Sequence, residues 1–386
     1  MTINKIPKFS SRVYTFNSPQ VEYRINRLSS IDYTVFINEK LIDLHFFTII
    51  YTVHPDASID YVKESLDSIL NQSYPYLECI FVLNGYDEGS EIFRYIYNIF
   101  KNRIYSKLIL VPNNRHDPFS ETIDDPIAEL WTAALFVSEG SFVYFFSYDD
   151  VLSTNYVECM VNLFLGDDNC TTAYPVIEII DSNGAKNIDR SQLLASINKR
   201  PQYIEAKKVI LSFLTDNPLF RAPGGVLAFR SVNVIQSGGF DRNHDRTQWS
   251  RHGFIGHSGF SSESTLQWRH HYHQTNRFEL RAGRIGVYKD FLSTYQFFDI
   301  FNQHAEAFGH DFAEKIYSYY KNRAINESIN LFRMILRKEG YITGIKSYYF
   351  MLIEIPITVS ITSIRYFFVE PFRSLYSSLL KKFKLK

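Results

Sequence analysis

Two adjacent carboxylates, Asp149 and Asp150, close the apolar stretch Phe145-Phe146-Ser147-Tyr148. Neighbouring carboxylates repel, and a divalent cation is the natural way to hold both ionised. The plainer reading is that Asp-Asp caps a helix starting near Asn155. A second polar turn, Asn84-Gly85-Tyr86-Asp87-Glu88, offers an amide with a donor and an acceptor side by side and a carboxylate that accepts from hydroxyls, although Asn-Gly is also an ordinary turn signal. Six of the chain's 11 histidines fall between His244 and His273. His271 and His273 alternate rather than standing four apart, so there is no zinc-helix signature, and ligand-pocket or solvated roles compete with metal ligation.

These groups need a scaffold, and the apolar pattern supplies one. Phe46 to Val53 is a nearly continuous apolar, β-branched run, as in a parallel strand buried on both faces. A helix follows, with Ser58 placed to cap it, Asp60 suited to its dipole, and Ile59, Val62, Leu66, Ile69 and Leu70 at helical spacing before Pro75. A second strand is predicted at 77–83, a helix at about 90–101, a strand at 108–111, a helix at about 127–138 and a strand at 141–146. Strand-helix-strand repeats of this length imply right-handed crossovers and a mostly parallel sheet. Ligands bind beyond the carboxyl ends of such strands, here His54-Pro55-Asp56, 84–88 and 147–150.

Composition sets the outer limits. The chain has 386 residues, 45% hydrophobic and 21% charged, which describes a folded protein large enough for a full core plus additions. Lys+Arg and Asp+Glu both number 41, and a zero balance excludes a nucleic-acid binder held by counterion release. Cys79, Cys159 and Cys170 have no metal spacing and read as reduced core thiols of a cytosolic protein. The opening MTINKIPKFSSRVYTF lacks the apolar core of a secretory signal, and no stretch of about 18 uninterrupted apolar residues could span a bilayer.

The order of motifs resembles the glycosyltransferase family 2 nucleotide-sugar domain, the GT-A fold, over roughly residues 46–295. Ser68-Ile69-Leu70-Asn71-Gln72-Ser73-Tyr74 followed by Glu78 resembles the family's "S-I-L-x-Q-(S/T)-Y … E-I-I-V" opening. Residues 145–152 resemble its "F-L-D-x-D-D-x-L" metal strand, Gly238-Gly239-Phe240-Asp241 its "G-G-F-D/E" turn, and Ser262-Glu263 with Leu266 and Arg269 its "E-D-x-x-L-x-x-R" segment. The resemblance implies an inverting transfer from a nucleotide-diphospho-sugar, a UDP-sugar, to a polysaccharide or lipid-linked acceptor. It places Mg²⁺ or Mn²⁺ at Asp149, with Asp150 and His271 as further candidate ligands. Thr52, His54, Asn84, Glu88, Tyr148 and Asp149 would hold the nucleotide-sugar. Glu263, on the first turn of a helix through Leu266, Arg269 and Tyr272, would be the general base, where the family usually has Asp.

Several positions depart from that pattern. Ser147 replaces the first Asp of the metal signature, Leu83 and Asn84 replace the two leading acids of "D-D-G-S-x-D", and Thr52-Val53-His54 stands for "P-T-Y". The family's "A-R-N-x-G" helix is replaced by Leu130-Trp131-Thr132-Ala133-Ala134. A catalytically inactive GT-A scaffold that binds a glycan or a partner is therefore the competing expectation. A nucleotidyltransferase should instead show a Gly-rich phosphate loop with a Lys near the first strand, and none is visible at 54–60.

Three regions are expected: an extension with some β-structure at 1–45, the GT-A domain at 46–300, and a helical region at 301–386. Residues 341–386 carry seven Lys/Arg and two Asp/Glu, so a basic foot offsets an acidic body. After Pro371, Phe372, Leu375, Tyr376, Leu379, Leu380 and Phe383 recur at helical spacing among Arg373, Lys381, Lys382, Lys384 and Lys386. A helix of that kind suits an anionic membrane surface, or alternatively packs on the body. The implied location is the cytoplasm, peripherally on the inner face of the cell membrane.

Overall fold

In the computed structural model the run at 46–53 becomes strand β3 (Phe47–Val53), buried at every residue. The structure describes residues 3–4, 34–37, 46–55, 57–103, 105–111, 126–194, 198–206, 208, 226–236, 239, 256–271, 311, 314 and 318. The chain divides into two compact units, Met1–Thr275 and Asn276–Lys386. The basic tail, the Val21–Ile25 run, Gly238, Phe240 and Asp241 lie outside the described residues.

The predicted alternation is present. β3 is followed by α1 (Ile59–Leu70), β4 (Leu77–Asn84), α2 (Glu91–Asn102), β5 (Ser106–Val111), α3 (Pro126–Val137) and β6 (Phe142–Ser147). Strands β5, β4, β3 and β6 lie side by side and parallel. Their residues are apolar on both faces because helices cover both. On one face Tyr51 donates to the Val62 carbonyl of α1 at 3.3 Å. On the other, the Trp131 indole of α3 donates to Thr52 Oγ1 at 2.8 Å.

Beyond β6 the sheet becomes mixed. β7 (Val151–Leu152), α4 (Tyr156–Gly166), β8 (Cys170–Ile180), α5 (Ile188–Leu193), β9 (Tyr203–Ile204), β10 (Ala228–Arg230), α6 (Ser231–Gln236) and β11 (His257–Arg269) follow in the chain. β10 is inserted antiparallel between β6 and β8, β8 pairs β11 in parallel, and β7 and β9 both pair β11 antiparallel. The extension contributes β1 (Ile3–Asn4) and β2 (Thr34–Ile37), which adds antiparallel to the β5 edge. The longest ladders are parallel, so the expected α/β sheet flanked by helices is present, with an antiparallel margin on each side.

Two local expectations change. Ser58 stands at the N-cap of α1 but its side chain makes no cap bond, whereas Ser90 caps α2 by accepting from Phe93 N at 3.1 Å. The segment through Glu263, Leu266 and Arg269 is strand β11 rather than a helix. Its ten-residue pairing with β8 outweighs the three- and four-residue spacing of its apolar positions. In the turn after α6, Gly239 adopts φ +76°, and a Cβ there would lie 2.4 Å from Thr132 Cγ2 of α3. Only glycine fits that approach.

The amino ends of the parallel strands are tied by a buried network. Lys107 Nζ donates to Glu78 Oε1 at 2.6 Å and to the Val137 carbonyl at 2.6 Å. Thr48 Oγ1 and Glu139 N donate to Glu78 Oε2 at 2.5 and 2.9 Å. Thr48, Glu78 and Lys107 are each the second residue of their strand, so the row fixes β3, β4 and β5 at the edge opposite the carboxyl ends. All three cysteines are free thiols, with Cys79 and Cys170 buried and Cys159 partly so.

Candidate functional site

At the carboxyl end of β6 the chain turns through Tyr148, Asp149 and Asp150 into β7. Antiparallel pairing of β7 with β11, Val151 opposite Gln267 and Leu152 opposite Leu266, carries the next residues of β11 past the turn. His271 thereby reaches Asp149: its Nε2 lies 2.9 Å from Asp149 Oδ2. Both are nearly sealed from water, at 6% and 7% exposure. Burial alone would raise the Asp149 carboxyl, but hydrogen bonds from His271 and Ser147, with the His271 charge, hold it below the ordinary value. Ser147 thus replaces an acid with a donor to its neighbour.

Asp150 has a different fate from the one the sequence suggests. Its Oδ1 accepts from Arg269 N at 2.9 Å, and burial, then the Asp149 charge, raise its carboxyl well above the ordinary range. The repulsion between adjacent acids is therefore relieved by splitting their ionisation, and Asp150 is directed to β11 rather than toward His271. Helix capping does not account for the pair either. Asn155 occupies the N-cap of α4 without a side-chain cap bond, and Gln72 Oε1 accepts from Val157 N at 2.9 Å.

Asp149 and His271 supply one carboxylate oxygen donor and one imidazole nitrogen. Among the described residues no group of three or more His, Cys, Asp or Glu converges on a point. Mg²⁺ and Mn²⁺ at phosphate-handling sites commonly use one or two protein ligands, with phosphate and water completing the shell. The pair fits such an ion, and its nitrogen donor suits Mn²⁺ better than Mg²⁺.

The neighbouring strand ends carry the other candidates. Thr52 is buried and its hydroxyl is already holding Trp131. His54 meets the Tyr148 ring edge-on, centroids 5.9 Å apart, and its loop is pinned by Tyr86, whose hydroxyl donates to the carbonyls of His54 and Pro55. Asn84 ends β4 on the same sheet face as Thr52, since Thr52 pairs with Val82 and side chains alternate. Its side chain is fully buried, and neither Oδ1 nor Nδ2 has a hydrogen-bond partner among the described residues. Leu83 lies in the core on the opposite face. Gly85, at φ +80°, turns the chain to Glu88, which is exposed. β4 and β6 are separated only by β3, so Asn84 stands roughly 10 Å from the β6 end by strand spacing.

Glu263 is not brought to this place. It is exposed on a register shift of β11 between Ser261 and Thr265, and its carbonyl accepts from Asn155 at 3.0 Å. Six residues of extended chain separate it from Arg269, roughly 20 Å.

Three residues at the site carry no catalytic signal in sequence. Arg269 is almost fully buried, and its guanidinium donates to the Asp149 carbonyl, the Asp181 carbonyl and Glu64 at 2.8, 3.2 and 2.6 Å. Tyr61, on α1, lies under that guanidinium and beside the His271 ring, with centroid distances of 4.7 and 5.2 Å. In sequence Arg269 is visible only as the last residue of the segment that begins at Ser262, and Tyr61 carries no signal. Gln72 was legible as part of a motif, and its part is to bind α1 to the segment after β7 through the Ser153 carbonyl at 2.8 Å and Val157 N.

No family model and no curated protein matches the chain. Among solved structures it is similar to residues 1–349 of S. aureus TarS in complex with UDP-GlcNAc, at 14% identity over 75% of this chain and 81% of that one, TM-score 0.47. The same region in complex with UDP gives 14% identity, the same coverages and TM-score 0.44. GalNAc-T7 with UDP, GalNAc and Mn²⁺ gives 11% identity over 59% of this chain and 44% of that one, TM-score 0.41. Likeness this distant assigns no residue and no ligand.

Proposed function

We propose that the chain is a glycosyltransferase that moves a sugar from a nucleotide-diphospho-sugar, a UDP-sugar, to a polysaccharide or lipid-linked acceptor with inversion. The observation that carries the reading is the buried Asp149–His271 pair at 2.9 Å, standing at the carboxyl ends of the parallel strands, with the Asn84 amide, unpaired among the described residues, two strands away at the same end. Ligands bind at that edge of such sheets.

Asp149 and His271 would hold Mn²⁺ or Mg²⁺. When bound, the ion supplies positive charge to the departing diphosphate. Without an ion, His271 and Ser147 hold the Asp149 carboxyl below its ordinary value; His271 would give up its proton to become a ligand, and the cation would then take over that charge. Asn84 would offer its donor and acceptor to the base edge, Glu88 would accept from the ribose, and His54 and Tyr148, whose rings meet edge-on, would complete the nucleotide-sugar site. The basic amphipathic segment after Pro371 supports peripheral attachment to an anionic membrane, where a lipid-linked acceptor would be found.

Titration with UDP and Mn²⁺ tests the reading. Wild type should bind UDP in a metal-dependent way, and Asp149→Ala should lose that dependence. Metal-independent or absent binding by wild type would refute it. A second reading, a GT-A scaffold that binds without turnover, is favoured by Leu83, whose apolar side chain is committed to the core, and by Asp150, committed to Arg269. It predicts nucleotide or glycan binding with no sugar transfer.

A further inference from the structure

We propose that Glu64 and Arg269 form a positioning pair that sets the geometry between Asp149 and His271; this rests on reading those two as cation ligands. Arg269 grips both residues of the acid turn, donating from Nε to the Asp149 carbonyl at 2.8 Å and from its backbone N to Asp150 Oδ1 at 2.9 Å. It reaches outward as well, from Nη1 to the Asp181 carbonyl at 3.2 Å, in the turn after β8, and from Nη2 to Glu64 Oε2 of α1 at 2.6 Å. Three separate elements are therefore referred to one guanidinium.

His271 stands two residues further along, and its ring packs against the same Tyr61 ring that lies under Arg269. Any tilt of Arg269 moves the Asp149 backbone and the Tyr61 surface together, and these define where the carboxylate and the imidazole meet. Glu64 holds that tilt. A guanidinium at 1% exposure requires a carboxylate or dense acceptors, and Glu64 supplies the carboxylate from a side chain that is itself 49% exposed. That asymmetry makes Glu64 the informative position: its outer half is in water, so shortening it disturbs little packing, while its inner oxygen is one residue removed from the acid turn.

The guanidinium is also spent on protein acceptors in three directions. It is a support for the site and not a contact for the diphosphate, which leaves the charge of that group to the cation.

The test uses the full chain. Free Mn²⁺ is followed by electron paramagnetic resonance during titration, with and without UDP, for wild type, Glu64→Gln, Glu64→Ala and Arg269→Lys, with circular dichroism confirming the fold. Partners behind a metal's ligands typically contribute 10- to 100-fold in affinity. Glu64 stands one residue further back, so Glu64→Ala should weaken Mn²⁺ by about 10-fold, the lower end of that range, and Glu64→Gln, which keeps an acceptor for Nη2, should recover part of the loss. A folded Glu64→Ala protein with wild-type Mn²⁺ affinity overturns the positioning role. Wild type that binds no Mn²⁺ in either condition overturns the cation reading itself, so the two failures are distinct. If Arg269→Lys does not fold, the Glu64 variants decide the question.

Discussion

Replacing Asn84 with leucine should make the free protein more stable and its nucleotide binding weaker. Asn84 ends β4 with a fully buried side chain whose Oδ1 and Nδ2 both lack partners among the described residues. A buried polar atom left unpaired costs about 1–3 kcal/mol in desolvation, a penalty that an apolar group of the same shape does not carry. Leucine has the same number of side-chain heavy atoms and the same branch at Cγ. Removing the orphaned amide should therefore raise the free energy of unfolding by about 1–3 kcal/mol, less any strain from the slightly larger methyl groups. The amide is retained at that cost if a ligand pairs with it. Saturating UDP with Mn²⁺, at about 100 times its dissociation constant, should stabilise wild type by roughly 2.7 kcal/mol, and Asn84→Leu by distinctly less at the same concentration. Urea unfolding with and without nucleotide, followed by tryptophan fluorescence, measures both quantities. A variant that is less stable than wild type by 1 kcal/mol or more, or that gains as much from UDP, would refute the reasoning.

Three further outcomes follow from the described contacts. Lys107→Met should lower stability by about 3–5 kcal/mol, since it strands the buried Glu78 carboxylate, yet leave UDP affinity of the folded protein unchanged because the network lies at the opposite strand ends; a loss below about 1 kcal/mol in urea melts would show the pair to be dispensable. Asp167 pairs with His257 at 2.5 Å, and although burial raises its carboxyl, the His257 hydrogen bond and charge bring it below the ordinary 3.8. A depressed carboxyl adds stability above its unfolded value that is lost as pH falls through the folded one, so wild type should lose more than Asp167→Asn between just above pH 3.8 and lower pH. Parallel acid melts for the two proteins would contradict this. Glu263→Gln should leave turnover unchanged, given its exposed position on β11; abolished transfer with intact UDP binding would restore it as the base.

The parallel core was legible because its signal is local and redundant. β3, β4, β5 and β6 are buried on both faces, so each reads as a mostly apolar run, and strand ends could be placed within a residue or two. The acid turn was legible for the same reason, as the polar stop of such a run. β11 was not. Its side chains alternate in burial only from Ser264 to Gln267, and the register shift between Ser261 and Thr265 breaks the period on which a strand is recognised. The resemblance nominated Glu263 as base, and reading its segment as a helix left Arg269 as one face residue among several. Extended geometry reverses the two. It draws Glu263 away along the strand and brings Arg269 and His271 onto Asp149, across about 120 residues of intervening chain. Pairwise chemistry of this kind depends on which strands become neighbours. No single-strand pattern records that β7 pairs with β11, so His271 could be nominated as a ligand from the sequence but only the sheet order supplies its partner.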